Sequence, residues 1–373
     1  MDFKTREKIA SYAGPTFSRC YQCGTCTAVC LLPRTIPVRR VLRKAQLGIP
    51  EIDQQVWKCV SCKYCDTSCP RGVEIANVMR GLKAMLYEEK KAPAQLNEVL
   101  WRVYEEGNPL GEPRTQRAAW LQGLELPANS GEGGVLLYTC CLAAYDKRLQ
   151  NTLRSLVEVL KKAGVPVTVM GDAETCCGDV IYHIGEEYFL EELAQGNVEA
   201  MEKLKPTVIV TVSPHSYNML KHVYPRLGAK PPAPVMHHVQ LLAELINDGK
   251  LKPGRLEATV TYHDPCYLGR WNNIYEEPRT VLESIEGLKL VEMEHAKSRS
   301  LCCGGGGGSI WSENMEARSI TRRRLEEARS TEASAMATAC PYCIRMFEDE
   351  AKVVHVDLQF PDVVELLSHS LRG

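Results

Sequence analysis

Cys302-Cys303-Gly304-Gly305-Gly306-Gly307-Gly308 is the stretch from which the rest of the chain can be read. Two adjacent cysteines and five glycines leave almost no side chain except sulfur. Glycine lets a backbone pass close to a neighbouring object and take up positive φ. Cysteine in a reducing compartment is a soft metal ligand. The stretch therefore predicts a wall that wraps a metal cluster. His263-Asp264-Pro265-Cys266 and Cys340-Pro341-Tyr342-Cys343 flank it, with 36 residues from Cys266 to Cys302 and 37 from Cys303 to Cys340.

The same design occurs once more. Cys140, Cys176, Cys177 and Gly178 precede Cys266, Cys302, Cys303 and Gly304 by 126 residues each. The C-terminal part is thus an internal duplication. In the first copy Ser213-Pro214-His215-Ser216 stands where the second has Cys340-Pro341-Tyr342-Cys343, so both cysteines of that pair are serine. The arrangement resembles the CCG cysteine-rich family, which includes the B and D polypeptides of heterodisulfide reductase and the iron–sulfur subunits of anaerobic glycerol-3-phosphate dehydrogenase and glycolate oxidase. The resemblance implies a noncubane [4Fe–4S] cluster at Cys266, Cys302, Cys303, Cys340 and Cys343. A structural zinc or inert buried thiols are the alternative, although a tetrahedral zinc needs only four ligands.

Nearer the N-terminus the chain reads Cys20-x2-Cys23-x2-Cys26-x3-Cys30 and Cys59-x2-Cys62-x2-Cys65-x3-Cys69-Pro70. This is ferredoxin spacing: three close thiolates grip one cubane, and the fourth cysteine crosses to the other. The expected ligand sets are Cys20, Cys23, Cys26 and Cys69 for one cluster, and Cys59, Cys62, Cys65 and Cys30 for the second. Two zinc sites are the competing reading. Leu31-Leu32-Pro33 follows Cys30 where a proline is usual, which predicts only a local change of loop. Cys20-Tyr21-Gln22-Cys23-Gly24-Thr25-Cys26 and Cys69-Pro70-Arg71-Gly72-Val73 are similar to the C polypeptide of heterodisulfide reductase. With a helix between the motifs, this resemblance implies an α-helical ferredoxin fold.

Composition sets the frame. The chain has 373 residues, a formal net charge of −1 and 45% hydrophobic residues. Two or three domains are expected. The charge balance argues against a general nucleic-acid or acidic-membrane binder. All 17 cysteines fall in motifs, eight before residue 70, four in the first repeat and five in the second, so none is left for a disulfide framework. The polar start Met1-Asp2-Phe3-Lys4-Thr5-Arg6 offers no signal peptide. A cytoplasmic location is expected, with any membrane association made through a partner, since no run reaches the ~20 apolar residues of a spanning helix.

Periodicity places the motifs. Val38, Val41, Leu42, Ala45 and Leu47 recur at helical spacing and stop at Gly48 and Pro50; Ile75, Val78, Met79, Leu82, Met85 and Leu86 do the same after Pro70. Arg34, Arg39, Arg40, Arg43 and Lys44 form a basic strip on the first of these, read as a solvated face that could also dock an acidic partner. Residues 91–133 are a connector punctuated by Pro93, Pro109, Pro113, Pro127 and Gly131 to Gly134, with one helical piece through Leu96, Val99, Leu100, Val103 and Tyr104. From Val135 the period changes. Strands are expected at 135–138, 167–170, 208–212, 259–262, 288–291 and 335–338, alternating with helices such as Leu149, Leu153, Leu156, Val157 and Leu160, which Gly164 stops. Strand–helix alternation means α/β halves with parallel sheets, and the cysteines follow strands, where such sheets bind ligands. The whole is an α-helical ferredoxin domain (1–90), the connector (91–133), a degenerate first repeat (134–250) and a complete second repeat (251–373), the halves being Rossmann-like. Arg322-Arg323-Arg324 on a late helix reads as another solvated face.

The damaged first site keeps Cys140, Cys141, Cys176 and Cys177, enough thiolates for some metal, with His215 as a candidate extra ligand. Serine is a poor replacement for thiolate, being hard and weakly acidic. Two functions follow. The first is an electron-transfer subunit of a multi-subunit oxidoreductase, carrying two cubanes and a noncubane cluster. The chain lacks the Gly-x-Gly-x-x-Gly strand-turn-helix context of nucleotide sites, so flavin would belong to a partner. By resemblance that partner is a heterodisulfide reductase A-like flavoprotein, an electron-transferring flavoprotein or a flavin dehydrogenase. The second is a catalytic subunit reducing a disulfide or quinone at the noncubane cluster, with His263, Asp264 and Tyr342 near enough in sequence to handle protons.

Overall fold

The computed structural model describes residues 2–32, 35–126, 134–312 and 314–372. Pro33, Arg34, Pro127 and Gly131 to Gly133 of the sequence reading lie outside the described residues. Among the described residues no strand precedes Val135. The N-terminal region is helical, as a ferredoxin of this type requires. Its helix Val38–Leu47 buries Val38, Val41, Leu42 and Ala45. Gly48 ends it at φ +63°, where a Cβ would meet the Asp2 carbonyl at 1.9 Å. Arg39, Arg40 and Arg43 are exposed, while Lys44 pairs with Asp53 at 3.0 Å.

The helix Ile75–Glu88 holds the molecule together. The predicted stripe is buried, but so are Arg80, Gly81, Lys83 and Ala84. On one side Gly81 abuts Ala13 of the Phe3–Ala13 helix, and on the other Ala84 abuts Gly185 of the first repeat. Lys83 donates hydrogen bonds to the carbonyls of Cys59 and Gly307, both at 2.9 Å. One helix therefore touches the ferredoxin core and both halves of the C-terminal part.

The C-terminal part is α/β with parallel sheets. Strands β1 (Val135–Tyr138), β2 (Val167–Val169), β3 (Val208–Thr211) and β4 (Val235–His237) form a parallel sheet in the order β2-β1-β3-β4. Strands β5 (Arg255–Tyr262), β6 (Glu286–Leu290) and β7 (Ala335–Ala337) form a second, in the order β6-β5-β7. Parallel bridges from Ala335 to Gln359 and from Thr338 to Asp362 extend it where β4 extends the first. The duplication in sequence is thus a duplication in topology. β1 is buried along its whole length, which is why it reads as a continuous apolar run rather than an alternation. The helix Gln150–Lys162 buries Leu153, Leu156, Val157 and Leu160, as their spacing predicts. β4 carries no signal in the sequence: Val235-Met236-His237 is too short to show a period and follows a proline-rich turn.

Candidate metal centres

Cys20, Cys23, Cys26 and Cys69 line one cavity, together with Gly24, Thr25, Leu42, Pro70 and Ile75. Cys30, Cys59, Cys62 and Cys65 line another, with Leu32, Ile36, Met79 and Ile320. Ile75 borders both cavities, so the two lie side by side. The loops are built alike. Gln22 and Gly24 flank Cys23 with positive φ, and Ser61 and Lys63 flank Cys62 in the same way. Such alternation turns successive amides toward one point, the concavity found at many iron–sulfur sites. Burial pushes the Cys30 thiol up to about 12 and raises Cys59 and Cys65. Thiols this close and this dry become thiolates only when a cation balances them.

The five cysteines of the second repeat are all buried and converge. The Cys266 and Cys302 sulfurs are 4.0 Å apart. The Cys303 sulfur neighbours Cys302, Cys343 and His263, and Cys340 neighbours Cys343. The amides of Gly304 and Gly305 donate to the Cys302 and Cys303 sulfurs at 3.3 and 3.5 Å. Cys62 of the ferredoxin region adjoins the group: its hydrogen bond with Cys302, helped by the Arg270 guanidinium, brings its thiol down to about 6. An all-thiol donor set of this kind suits a soft metal or an iron–sulfur cluster.

The glycine run does more than line this site. A Cβ on Gly306 would come within 2.6 Å of the Val60 carbonyl, and one on Gly307 within 2.3 Å of the Cys59 carbonyl. Two backbones pass in contact there. The glycines therefore also seat the second cysteine loop of the ferredoxin region against the second repeat.

In the first repeat Cys140, Cys141, Cys176 and Cys177 are buried together. Cys141 is held at about 7 by its hydrogen bond with Cys176 and by Arg117, whose guanidinium donates to the Cys141 sulfur at 3.5 Å. Burial raises Cys140, which contacts Ser213. Ser213 caps the helix Pro214–Asn218, accepting from the Ser216 amide. His215, the candidate extra ligand, lies between the two repeats. Its Nδ1 bonds Asp179 at 3.0 Å, its ring is stacked between Tyr267 and Tyr342 at 3.9 and 4.1 Å, and it reaches Cys340 of the other repeat.

Several buried polar groups around the sites carried no signal in the sequence. Arg270 donates to the Cys62 carbonyl at 2.6 Å and to the Ser300 carbonyl at 2.6 Å. His183 bonds the Tyr267 hydroxyl through Nε2 and faces Ser61 through Nδ1 at 3.4 Å. Arg324 corrects the reading of Arg322 to Arg324 as a solvated face: its exposure is 0%. The helix Met315–Arg329 turns that one arginine inward, and three consecutive arginines cannot reveal which will point in.

Sequence comparison matches a cysteine-rich (CCG) domain model at residues 135–221 and 260–348, and a 4Fe-4S dicluster domain model at residues 12–74. The D polypeptide of the dihydromethanophenazine:CoB–CoM heterodisulfide reductase of Methanosarcina acetivorans is 30% identical, over 94% of this chain and 93% of its own length. The chain belongs to the heterodisulfide reductase D-like family of iron–sulfur proteins. Some other relatives of the family are longer. The probable iron-sulfur-binding oxidoreductase FadF of Bacillus subtilis is 34% identical over 86% of this chain and 47% of its own length. The EtfAB:quinone oxidoreductase of Syntrophomonas wolfei is 32% identical over 84% of this chain and 46% of its own length. The chain thus spans about half the length of these two relatives. No described helix is long and apolar enough to cross a membrane.

Proposed function

We propose that this chain is the electron relay of an oxidoreductase complex, with three centres in series. The ferredoxin region (1–90) would hold two cubanes, one at Cys20, Cys23, Cys26 and Cys69 and one at Cys30, Cys59, Cys62 and Cys65. The second repeat (251–373) would hold a noncubane cluster at Cys266, Cys302, Cys303, Cys340 and Cys343. The first repeat (134–250), a Rossmann-like half like the second, keeps four thiols for a further metal, and residues 91–133 connect the parts. When bound, such clusters take up and release single electrons. The observation that carries the reading is contiguity: Ile75 lines both N-terminal cavities, and Cys62 of the second cavity neighbours Cys302. The protein's own part is to fix these spacings, keep water out with Leu32, Ile36, Met79 and Ile320, and offset thiolate charge with Arg270 and Lys83.

The entry point is the first cavity, where Cys23 is exposed. The exposed arginines 39, 40 and 43 line an adjoining surface concavity, suited to an acidic partner. The name of the Syntrophomonas relative supports an electron-transferring flavoprotein as donor and a quinone as acceptor, and any membrane contact of the complex would be made through a partner. The test is freeze-quench electron paramagnetic resonance on the anaerobically loaded chain. Cys65→Ser should slow reduction of the second-repeat centre at least tenfold while leaving that centre present. Undiminished reduction would refute a series relay.

One observation favours catalysis in this chain. A cavity of about 600 Å³ is lined by Leu142, Ile310, Trp311, Met315 and Met346 together with the charged Asp146, Arg318, Arg345, Asp349 and Glu350, and Met346 packs over Gly305 beside Cys303. Turnover of a quinone or disulfide by the isolated chain with a viologen donor would establish this second reading.

A further inference from the structure

We infer that His263 is a dedicated N–H donor to the sulfurs of the second-repeat site, fixed in one tautomer by Arg324, and is not a metal ligand. This rests on the cluster reading above and deepens it.

One ring nitrogen of His263 and the sulfurs of Cys303 and Cys343 lie within 4.8 Å of one another, a grouping that could pass for a metal site. The Nε of Arg324 faces His263 Nδ1 at 3.1 Å. A guanidinium has five N–H donors and no acceptor. Nδ1 must therefore accept, and the single proton of the ring sits on Nε2. Nε2 is buried with no hydrogen-bond partner of its own, so the sulfurs are what remains for it. A histidine that ligates a metal ordinarily donates its other N–H to a carboxylate, carbonyl or water. Here the other nitrogen meets a donor, the reverse of what ligation requires.

Both partners are locked. Arg324 Nη1 donates to the His295 carbonyl at 2.9 Å and to Glu327 at 2.7 Å, and Nη2 donates to the Ser300 hydroxyl at 3.1 Å. The His263 amide donates to the Ala337 carbonyl at 2.9 Å, and its own carbonyl accepts from Thr338 Oγ1 at 3.1 Å. Phe347 meets the ring edge-to-face at 4.8 Å. Neither the ring nor the guanidinium can turn to exchange roles. A hydrogen bond to a cluster thiolate stabilises its electron-rich form and raises its potential. His263 is thus a positioning residue that tunes the centre through Cys303.

The test uses the full chain loaded anaerobically with iron and sulfide. Pulsed electron paramagnetic resonance of the wild type should show only a weak ¹⁴N coupling, of the hydrogen-bonded kind. His263→Phe should keep the wild-type iron content and shift the midpoint potential of the second-repeat signal downward. His263→Gln, which retains an N–H at similar reach, should return it toward the wild-type value. A strong ¹⁴N coupling, or loss of one cluster's iron in both variants, would make His263 a ligand and overturn the inference alone. An unshifted potential in His263→Phe would also overturn it. A wild type with no third cluster would overturn the relay reading together with this one.

Discussion

Gly307→Ala tests whether the glycine run seats the ferredoxin region against the second repeat. Gly307 has φ +63°, and an added Cβ would lie 2.3 Å from the Cys59 carbonyl oxygen. Left-handed backbone costs an ordinary residue ~1–2 kcal/mol. Relieving the clash separates two backbones that Lys83 clamps, through bonds of 2.9 Å to each carbonyl. Weakening a buried, charge-assisted hydrogen bond costs a further ~1.5–3 kcal/mol. The seam should therefore lose about 3–4 kcal/mol, and at 1.4 kcal/mol per decade the amides of residues 59–61 should lose on the order of 10²- to 10³-fold in hydrogen-exchange protection. Gly249→Ala is the control. It has φ +69° but nothing within 4 Å of its Cβ, so it carries the conformational cost alone, ~1–2 kcal/mol. The assay is exchange mass spectrometry on both variants of the loaded protein. If Gly307→Ala cost no more than Gly249→Ala and left residues 59–61 protected, the glycines would not form a seam.

Two further outcomes follow from the same structure. Cys303→Ser or Cys340→Ser should abolish the second-repeat resonance signal, whereas Cys176→Ser should leave it intact and affect only stability or a separate metal; the reverse pattern would place the working site in the wrong repeat. His237 is buried, its Nε2 bonded to the Val212 carbonyl at 3.2 Å and its Nδ1 without a partner, and burial holds its pKa well below 6.5. Because the unfolded chain takes up this proton first, stability is full above the unfolded value and falls as pH drops below it, by up to ~1.4 kcal/mol per pH unit for one proton. Urea unfolding of wild type and His237→Phe between pH 5 and 7 should differ in slope by that single proton; equal slopes would refute it.

How much of this was legible in the sequence depends on range. Spacing singled out the eight N-terminal cysteines that line the two cavities, because cluster-binding loops are local and hold their cysteines at fixed offsets. Periodicity located the Val38–Leu47, Ile75–Glu88 and Gln150–Lys162 helices and the buried strand at Val135–Tyr138, because burying one face imposes a local pattern. The 126-residue offset announced two sheets of one topology. The tertiary structure alone decided what crosses between these units. It turned Arg324 inward beside the exposed Arg323, sent His215 of the degenerate repeat to Cys340 of the complete one, and set Gly307 against Cys59. Each of these is a contact between residues far apart in the chain. A side chain's local sequence fixes its element, but the partner packed against that element fixes what it touches.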